Sequence, residues 1–258
     1  MNYKMTIQYD GTRYNGWQKQ GNTENTIQGR LEALLLRITG EKVEIHGAGR
    51  TDAGVHALGQ VANAHFHTEL SDEELRMAMN RYLPEDIEVM ELCRVPERFH
   101  SRLNAVEKTY EYRIAVDEGK HAFERKYLYF PGESLDQEAM RRAAEYFVGS
   151  HDFKSFCANK RMKKSTVRSI SKISFREENG ILTVSYTGDG FLYHMVRILT
   201  GTLIEVGLHR READSMRQIL KAQDREQAGF CAPACGLILI SVNYDKNETR
   251  FSPEMEES

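Results

Sequence analysis

Asn2-Tyr3-Lys4-Met5-Thr6-Ile7-Gln8-Tyr9 alternates strictly in polarity. Tyr3, Met5, Ile7 and Tyr9 fall on one side and polar residues on the other, the period of a strand with one buried face. Working outward, Ile27, Leu31, Leu34, Leu35 and Ile38 recur at helical spacing, and Gly40 ends that run. Lys42 to His46 reads as a short strand, and Val61 to His67 as another after a Gly-rich stretch. Ser71 and Glu74 have the spacing of a capping box and open a helix through Tyr82, after which Asp86 to Val95 alternates again. Strand, helix, strand, strand, helix, strand is the order of the split βαβ or ferredoxin-like unit.

The second half repeats that order without repeating residues. Lys108 to Val116 is strand-like, Leu135 to Val148 is an amphipathic helix, and Val167 to Phe175 and Ile181 to Thr187 form a hairpin around Glu178-Asn179-Gly180. A long helix from Phe191 to Val206, a shorter one from Glu212 to Ala222 and a strand from Leu237 to Tyr244 complete it. The expected fold is α+β: two tandem ferredoxin-like or RRM-like halves packed into one body, with a mostly antiparallel sheet, helices on one face and an active cleft on the other. The boundaries expected are 1–104, 105–246 and an acidic, disordered tail over 247–258.

The 258 residues are 40% hydrophobic and 28% charged, with 5 Pro and 19 Gly, which excludes disordered, collagenous and disulfide-scaffold classes. Cys93, Cys157, Cys231 and Cys235 form no C-x-x-C pair, and no His stands near them at zinc-ligand spacing, so free thiols in a reducing cytoplasm are expected. No apolar run resembles a signal peptide or reaches the roughly 20 residues of a bilayer span. Net charge is −3, and Glu248, Glu254, Glu256 and Glu257 against Arg250 supply all of it, leaving a neutral body. Within that body Phe153 to Arg176 carries eight Lys and Arg residues and no acid. Such a run is commonly a solvated face, and the alternative is a phosphate-binding surface.

Gly47-Ala48-Gly49-Arg50-Thr51-Asp52-Ala53-Gly54-Val55-His56-Ala57 is the most unusual stretch. It follows a strand, yet Asp52 stands where a dinucleotide fingerprint requires Gly, and no Gly-Lys-Ser/Thr is present for a P-loop. A mid-loop acid would also repel a pyrophosphate. Taken alone, Asp52 reads either as an Asx-turn residue or as a nucleophile or base that glycines allow close to a ligand, with Arg50 as a phosphate or nucleobase contact.

Gly49 to Ala57 resembles the signature of the tRNA pseudouridine synthase A family. Four further segments resemble its motifs in the same order: Tyr9-Asp10-Gly11-Thr12-Arg13-Tyr14-Asn15-Gly16-Trp17-Gln18; Phe99-His100-Ser101-Arg102 with Lys108-Thr109-Tyr110-Glu111-Tyr112-Arg113; Phe191-Leu192-Tyr193-His194-Met195-Val196-Arg197; and Ala232-Pro233-Ala234-Cys235-Gly236-Leu237. Ser101, Ile198, Cys235 and Ile238 depart from the commoner family residues, and none of them removes a group with a proposed chemical role. The resemblance implies an isomerase that turns uridine into pseudouridine in tRNA, at positions 38, 39 and 40 of the anticodon arm, with no cofactor and no metal.

By the same resemblance Asp52 is the catalytic carboxylate, attacking C1′ or removing the C2′ proton. Arg197 pairs with it, Tyr110 stacks on the uracil and is a candidate acceptor for the C5 proton, and Arg50 fills the space left by the flipped base. Lys160, Arg161, Lys163 and Lys164 are expected to meet tRNA phosphates, and a cytoplasmic homodimer is expected to grip the RNA, with no membrane partner. Trp17 reads either as a base-stacking ring or as a packing anchor. Three alternatives compete: a paralogue acting on other tRNA or rRNA uridines, an RNA-binding module without catalysis, and an unrelated hydrolase using Asp52. The set of Asp52, Tyr110 and Arg197 argues against a pure binder. The lack of a second carboxylate, a His partner or a metal cluster beyond His46 and His56 in that loop argues against a hydrolase.

Overall fold

The computed structural model describes residues 1–21, 23–159 and 161–245; the tail expected over 247–258 lies outside the described residues. The fold is α+β, with nine strands, whose assigned registers are antiparallel, and five α-helices among the described residues. The chain divides into two compact units, Met1–Val106 with the chain from Leu239 on, and Glu107–Ile238.

The first unit holds β1 (Asn2–Tyr9), α1 (Ile27–Thr39), β2 (Ile45–Gly47), β3 (His56–His65), α2 (Asp72–Tyr82) and β4 (Ile87–Val95). β1 lies between β4 and β3, and β2 pairs with the other edge of β3. Tyr3, Met5 and Ile7 of β1 are fully buried, as are Leu31 and Leu35 of α1 and Leu75 and Met79 of α2. Each such side chain contributes about 1.5–3 kcal/mol by leaving water. Thr26 caps α1 by accepting from Gly29 N at 3.1 Å, and Gly40 ends the helix at φ +75°. The capping box forms as expected, Ser71 and Glu74 satisfying each other's backbone N–H groups.

Two strands differ from expectation. β2 begins at Ile45 rather than Lys42, because residues 42–44 have no strand beside them once β3 ends at His65, and the Ile45 N–H goes to Glu32 Oε1 at 3.2 Å. β3 starts at His56, five residues earlier than its hydrophobic pattern suggests. It is buried on both sides there, so its residues do not alternate. A Cβ on Gly59 would sit 2.3 Å from the Ile240 carbonyl oxygen, which is why this strand tolerates a glycine.

The second unit holds β5 (Ala105–Ala115), α3 (Gln137–Glu145), β6 (Gly149–Asp152), β7 (Val167–Glu178), β8 (Ile181–Gly188), α4 (Met195–Gly207) and α5 (Ser215–Ala222), in strand order β5-β8-β7-β6. β6 has no apolar alternation and is held by pairing with Val167–Ile170 of β7. The β7–β8 turn places Asn179 and Gly180 at φ +52° and +74°, the demand of a tight hairpin. α3 is shorter than its amphipathic pattern: Asp136 caps it through Ala139 N at 2.9 Å, and residues 146–148 close with i to i+3 bonds. α4 starts at Met195, not Phe191, because His194 adopts φ +61° and breaks the helix before it. The strand β9 (Leu237–Tyr244) lies beside β3, and its residues from Leu239 on belong to the first unit.

Candidate active site

The loop between β2 and β3 carries Asp52, half-buried, and Arg50, exposed. Backbone from the Tyr9 to Gln18 motif holds this loop from below. Trp17 N donates to Thr51 O at 3.0 Å, Gly54 N to Tyr14 O at 3.4 Å, and Tyr9 and Thr51 share a hydroxyl bond of 2.7 Å. The approach is close enough to require glycine twice. A Cβ on Gly11 would lie 2.0 Å from Val55 O, and Gly16, at φ +89°, would meet Thr51 O at 2.6 Å. On the other side Gln60, fully buried, donates to Gly49 O at 2.8 Å, and Val55 N closes the turn on Asp52 O at 3.1 Å.

Asp86 fixes the motif itself. Its backbone oxygen accepts from Asp10 N, and its carboxylate accepts from Tyr14 OH at 2.5 Å and Arg13 at 2.6 Å. Trp17 is a packing anchor, 1% exposed, with its indole where a Cβ on Gly47 would stand 2.5 Å away. The Phe99 to Arg102 motif is also structural. Ser101 is buried, its N–H donating to Asn63 Oδ1 at 2.9 Å and its hydroxyl to His46 O, while Tyr244 OH donates to Ser101 O at 2.6 Å.

Tyr110 on β5 and Arg197 on α4 both belong to the second unit. Tyr110 faces Tyr186 across the β5–β8 ladder, and Tyr186 OH bonds Thr200 Oγ1 at 2.9 Å, one turn beyond Arg197 in α4. Phe191 packs edge-on to the Tyr110 ring, centroids 5.3 Å apart at 85°. Arg197 is half-buried and aimed by the backbone of residues 229–232, which runs along α4. Its Nε donates to Ala232 O at 2.7 Å while Ala232 N donates back to Arg197 O at 3.1 Å. Gly229 N to Thr202 Oγ1 at 2.9 Å and Phe230 N to Glu205 Oε1 at 3.1 Å continue the attachment. Gly201 makes it possible, since a Cβ there would lie 2.0 Å from Phe230 O. Tyr112 OH donates to Pro233 O at 2.7 Å. Burial pushes the Tyr112 phenol and the Cys235 thiol up, and the nearby Arg197 charge partly opposes both.

Arg161, Lys163 and Lys164 are exposed on the loop before β7, and Lys160 lies outside the described residues. Among the described residues no three His, Cys, Asp or Glu side chains cluster as metal ligands, and no helix is long and apolar enough to cross a membrane. The fixtures that sequence reasoning did not identify are Gly11, Gly16, Asp86, Gly201 and the Ala232 carbonyl. The first two were visible only as glycines spaced within a motif.

Asp52 is thus half-buried on a pinned loop of the first unit, while a buried Tyr110 and an Arg197 bonded to the main chain belong to the second. The sequence model of the tRNA pseudouridine synthase family matches residues 5–104 and 143–245. The chain is 49% identical over 94% of its length to a tRNA pseudouridine synthase A of Bacillus sp. (strain KSM-64), 99% of which is covered. It is 45% identical to a tRNA pseudouridine synthase A of Acetivibrio thermocellus and 44% to a tRNA pseudouridine synthase A 2 of Bacillus cereus, each with 94% of this chain and 99% of the relative covered. With that coverage across both units, the chain belongs to the tRNA pseudouridine synthase family.

Proposed function

We propose that the protein isomerises uridine to pseudouridine in the anticodon arm of tRNA, at positions 38 to 40, with Asp52 as the catalytic carboxylate. Family membership over both units carries the reading. Asp52 acts on the flipped nucleotide at C1′ or C2′, Arg197 pairs with it and keeps it ionised, Tyr110 stacks on the detached uracil, and Arg50 occupies the gap in the RNA stack. The main-chain grip on the Asp52 loop and on Arg197 supports these roles, because a carboxylate that attacks once and then releases its product needs fixed aim rather than mobility. Arg161, Lys163 and Lys164, with Lys160, hold phosphates. The protein works as a cytoplasmic homodimer. Each half is a ferredoxin-like unit, a reading supported in the first by the order β4-β1-β3-β2.

One observation favours a variant of this reading. Several relatives are named tRNA pseudouridine synthase A 2, which marks organisms with more than one such protein, so this chain can serve a different set of uridines. Carbodiimide mapping of pseudouridine in tRNA and ribosomal RNA from a deletion strain tests both. Loss at 38 to 40 supports the first, loss elsewhere the second, and an unchanged map overturns the activity.

A further inference from the structure

Between the end of β6, the loop before β7 and the turn after α5, the second unit holds a cavity of about 350 Å³. Five charged side chains line it: Lys154, Lys164 and Arg225 against Asp152 and Asp224. The carboxylates already serve the fold. Asp152 accepts from Lys154 N at 3.0 Å, Thr166 Oγ1 at 2.5 Å and Gln223 Nε2 at 2.9 Å, and Asp224 accepts from Glu226 N at 3.1 Å. The cations are uncommitted by comparison. Among the described residues none of the three has an ion pair, and Arg225 bonds only Ala228 O, at 3.3 Å.

The rest of the lining includes the Asn159 and Gln223 amides and the Met162 thioether, a mixture that suits a nucleoside as well as its phosphate. The volume is that of a small-molecule site. One wall belongs to the acid-free basic stretch and is tied by Ala158 N to Tyr193 O, at 3.0 Å, in the turn leading into α4 and Arg197. Proteins read RNA loops by taking unpaired bases out of the stack into such recesses.

We propose that this cavity binds one unpaired nucleotide of the tRNA substrate other than the target uridine, its phosphate on Lys154 and Arg225 and its base against Met162 and the two amides. The proposal rests on tRNA being the substrate. It would give the enzyme a second fixed point on the RNA, and with it a means of measuring the distance from a loop nucleotide to the reacting one.

The test uses the full chain and a tRNA transcript carrying 4-thiouridine, photocrosslinked and mapped by mass spectrometry. The expected result is a crosslink from an unpaired nucleotide to the peptide containing Cys157 to Met162, separate from any crosslink at the Asp52 loop. Lys154→Gln with Arg225→Gln should abolish that crosslink, weaken tRNA binding about tenfold and flatten the plot of log affinity against log salt by about 0.7, the value for one single-strand phosphate contact. Uridine 5′-monophosphate serves as the free-nucleotide arm: tRNA crosslinking in the cavity at concentrations where the mononucleotide gives no protection supports the proposal. Crosslinks confined to other surfaces, a double variant with unchanged affinity and salt slope, or occupancy by the mononucleotide alone would overturn it. Absence of pseudouridine formation by the wild-type protein would instead sink the enzymatic reading.

Discussion

At Asp52 the side chain is a single carboxylate, and five hydrogen bonds at neighbouring positions hold the loop that carries it. Asp52→Asn keeps the size and the loop's bonding and removes the charge that both proposed roles require. We expect normal folding and tRNA binding with pseudouridine formation reduced below detection, and near-wild-type turnover of purified protein would reject the assignment. Arg197→Met tests the partner. Its Nε bond to Ala232 O is lost and the chain left unpaired at that carbonyl, so single-turnover rates should fall by at least two orders of magnitude while tRNA affinity changes by less than about threefold. A collapse of binding with an unaltered rate would make Arg197 an RNA contact. The Asp52 loop stood out because it suits neither a dinucleotide nor a P-loop, but the role proposed for Asp52 rests on the resemblance of Gly49 to Ala57 to the family signature. The Ala232 carbonyl was not legible, since a main-chain oxygen has no letter of its own, and Trp17 left two readings open until its burial decided for packing.

At the scale of elements, α4 shows how local signals were overruled. Phe191 to Val206 reads as one helix by period, yet the helix waits for Met195, because His194 takes a left-handed conformation that hydrophobic spacing does not encode. β6 was likewise invisible: Gly149-Ser150-His151-Asp152 has no apolar member and exists through its ladder to β7. The Ser71–Glu74 capping box and the Gly40 stop were legible, since they obey spacing rules that depend on a few adjacent residues, whereas the Thr26 cap appeared only in the structure. Gly201→Ala should separate α4 from the backbone of residues 229–232. A methyl 2.0 Å from Phe230 O demands a main-chain shift, so we expect a stability loss of about 1–3 kcal/mol in urea unfolding and a fall in activity larger than that loss explains. Ser71→Ala is the matching control. It removes an exposed cap for about 1 kcal/mol and should leave the rate of pseudouridine formation alone. If both variants lose activity in proportion to stability, the attachment along α4 has no role in aiming Arg197.

For the whole molecule, the neutral body must still hold a polyanion, and the acid-free stretch is where positive charge is concentrated. Replacing Lys160, Arg161, Lys163 and Lys164 by Gln should weaken tRNA binding and reduce the salt slope by about 0.7–0.9 for each contact removed, with the melting temperature within a few degrees of wild type. A slope that does not move would return the stretch to the status of a solvated face and shift attention to scattered arginines such as Arg13, Arg30 and Arg102. The path of the chain also bears on how it is made. β9 leaves the second unit at Ile238 and completes the first beside β3, whose residues were synthesised some 180 positions earlier. While a ribosome is building the protein, the edge of β3 that receives β9 must wait until residues 237–244 have been made. A chain ending at Ile238 should therefore keep a protease-sensitive, aggregation-prone amino-terminal unit, measurable by pulse proteolysis of ribosome-stalled intermediates. If that outcome is found, a product terminated before β9 is cleared rather than left as a half-enzyme that occupies tRNA without modifying it.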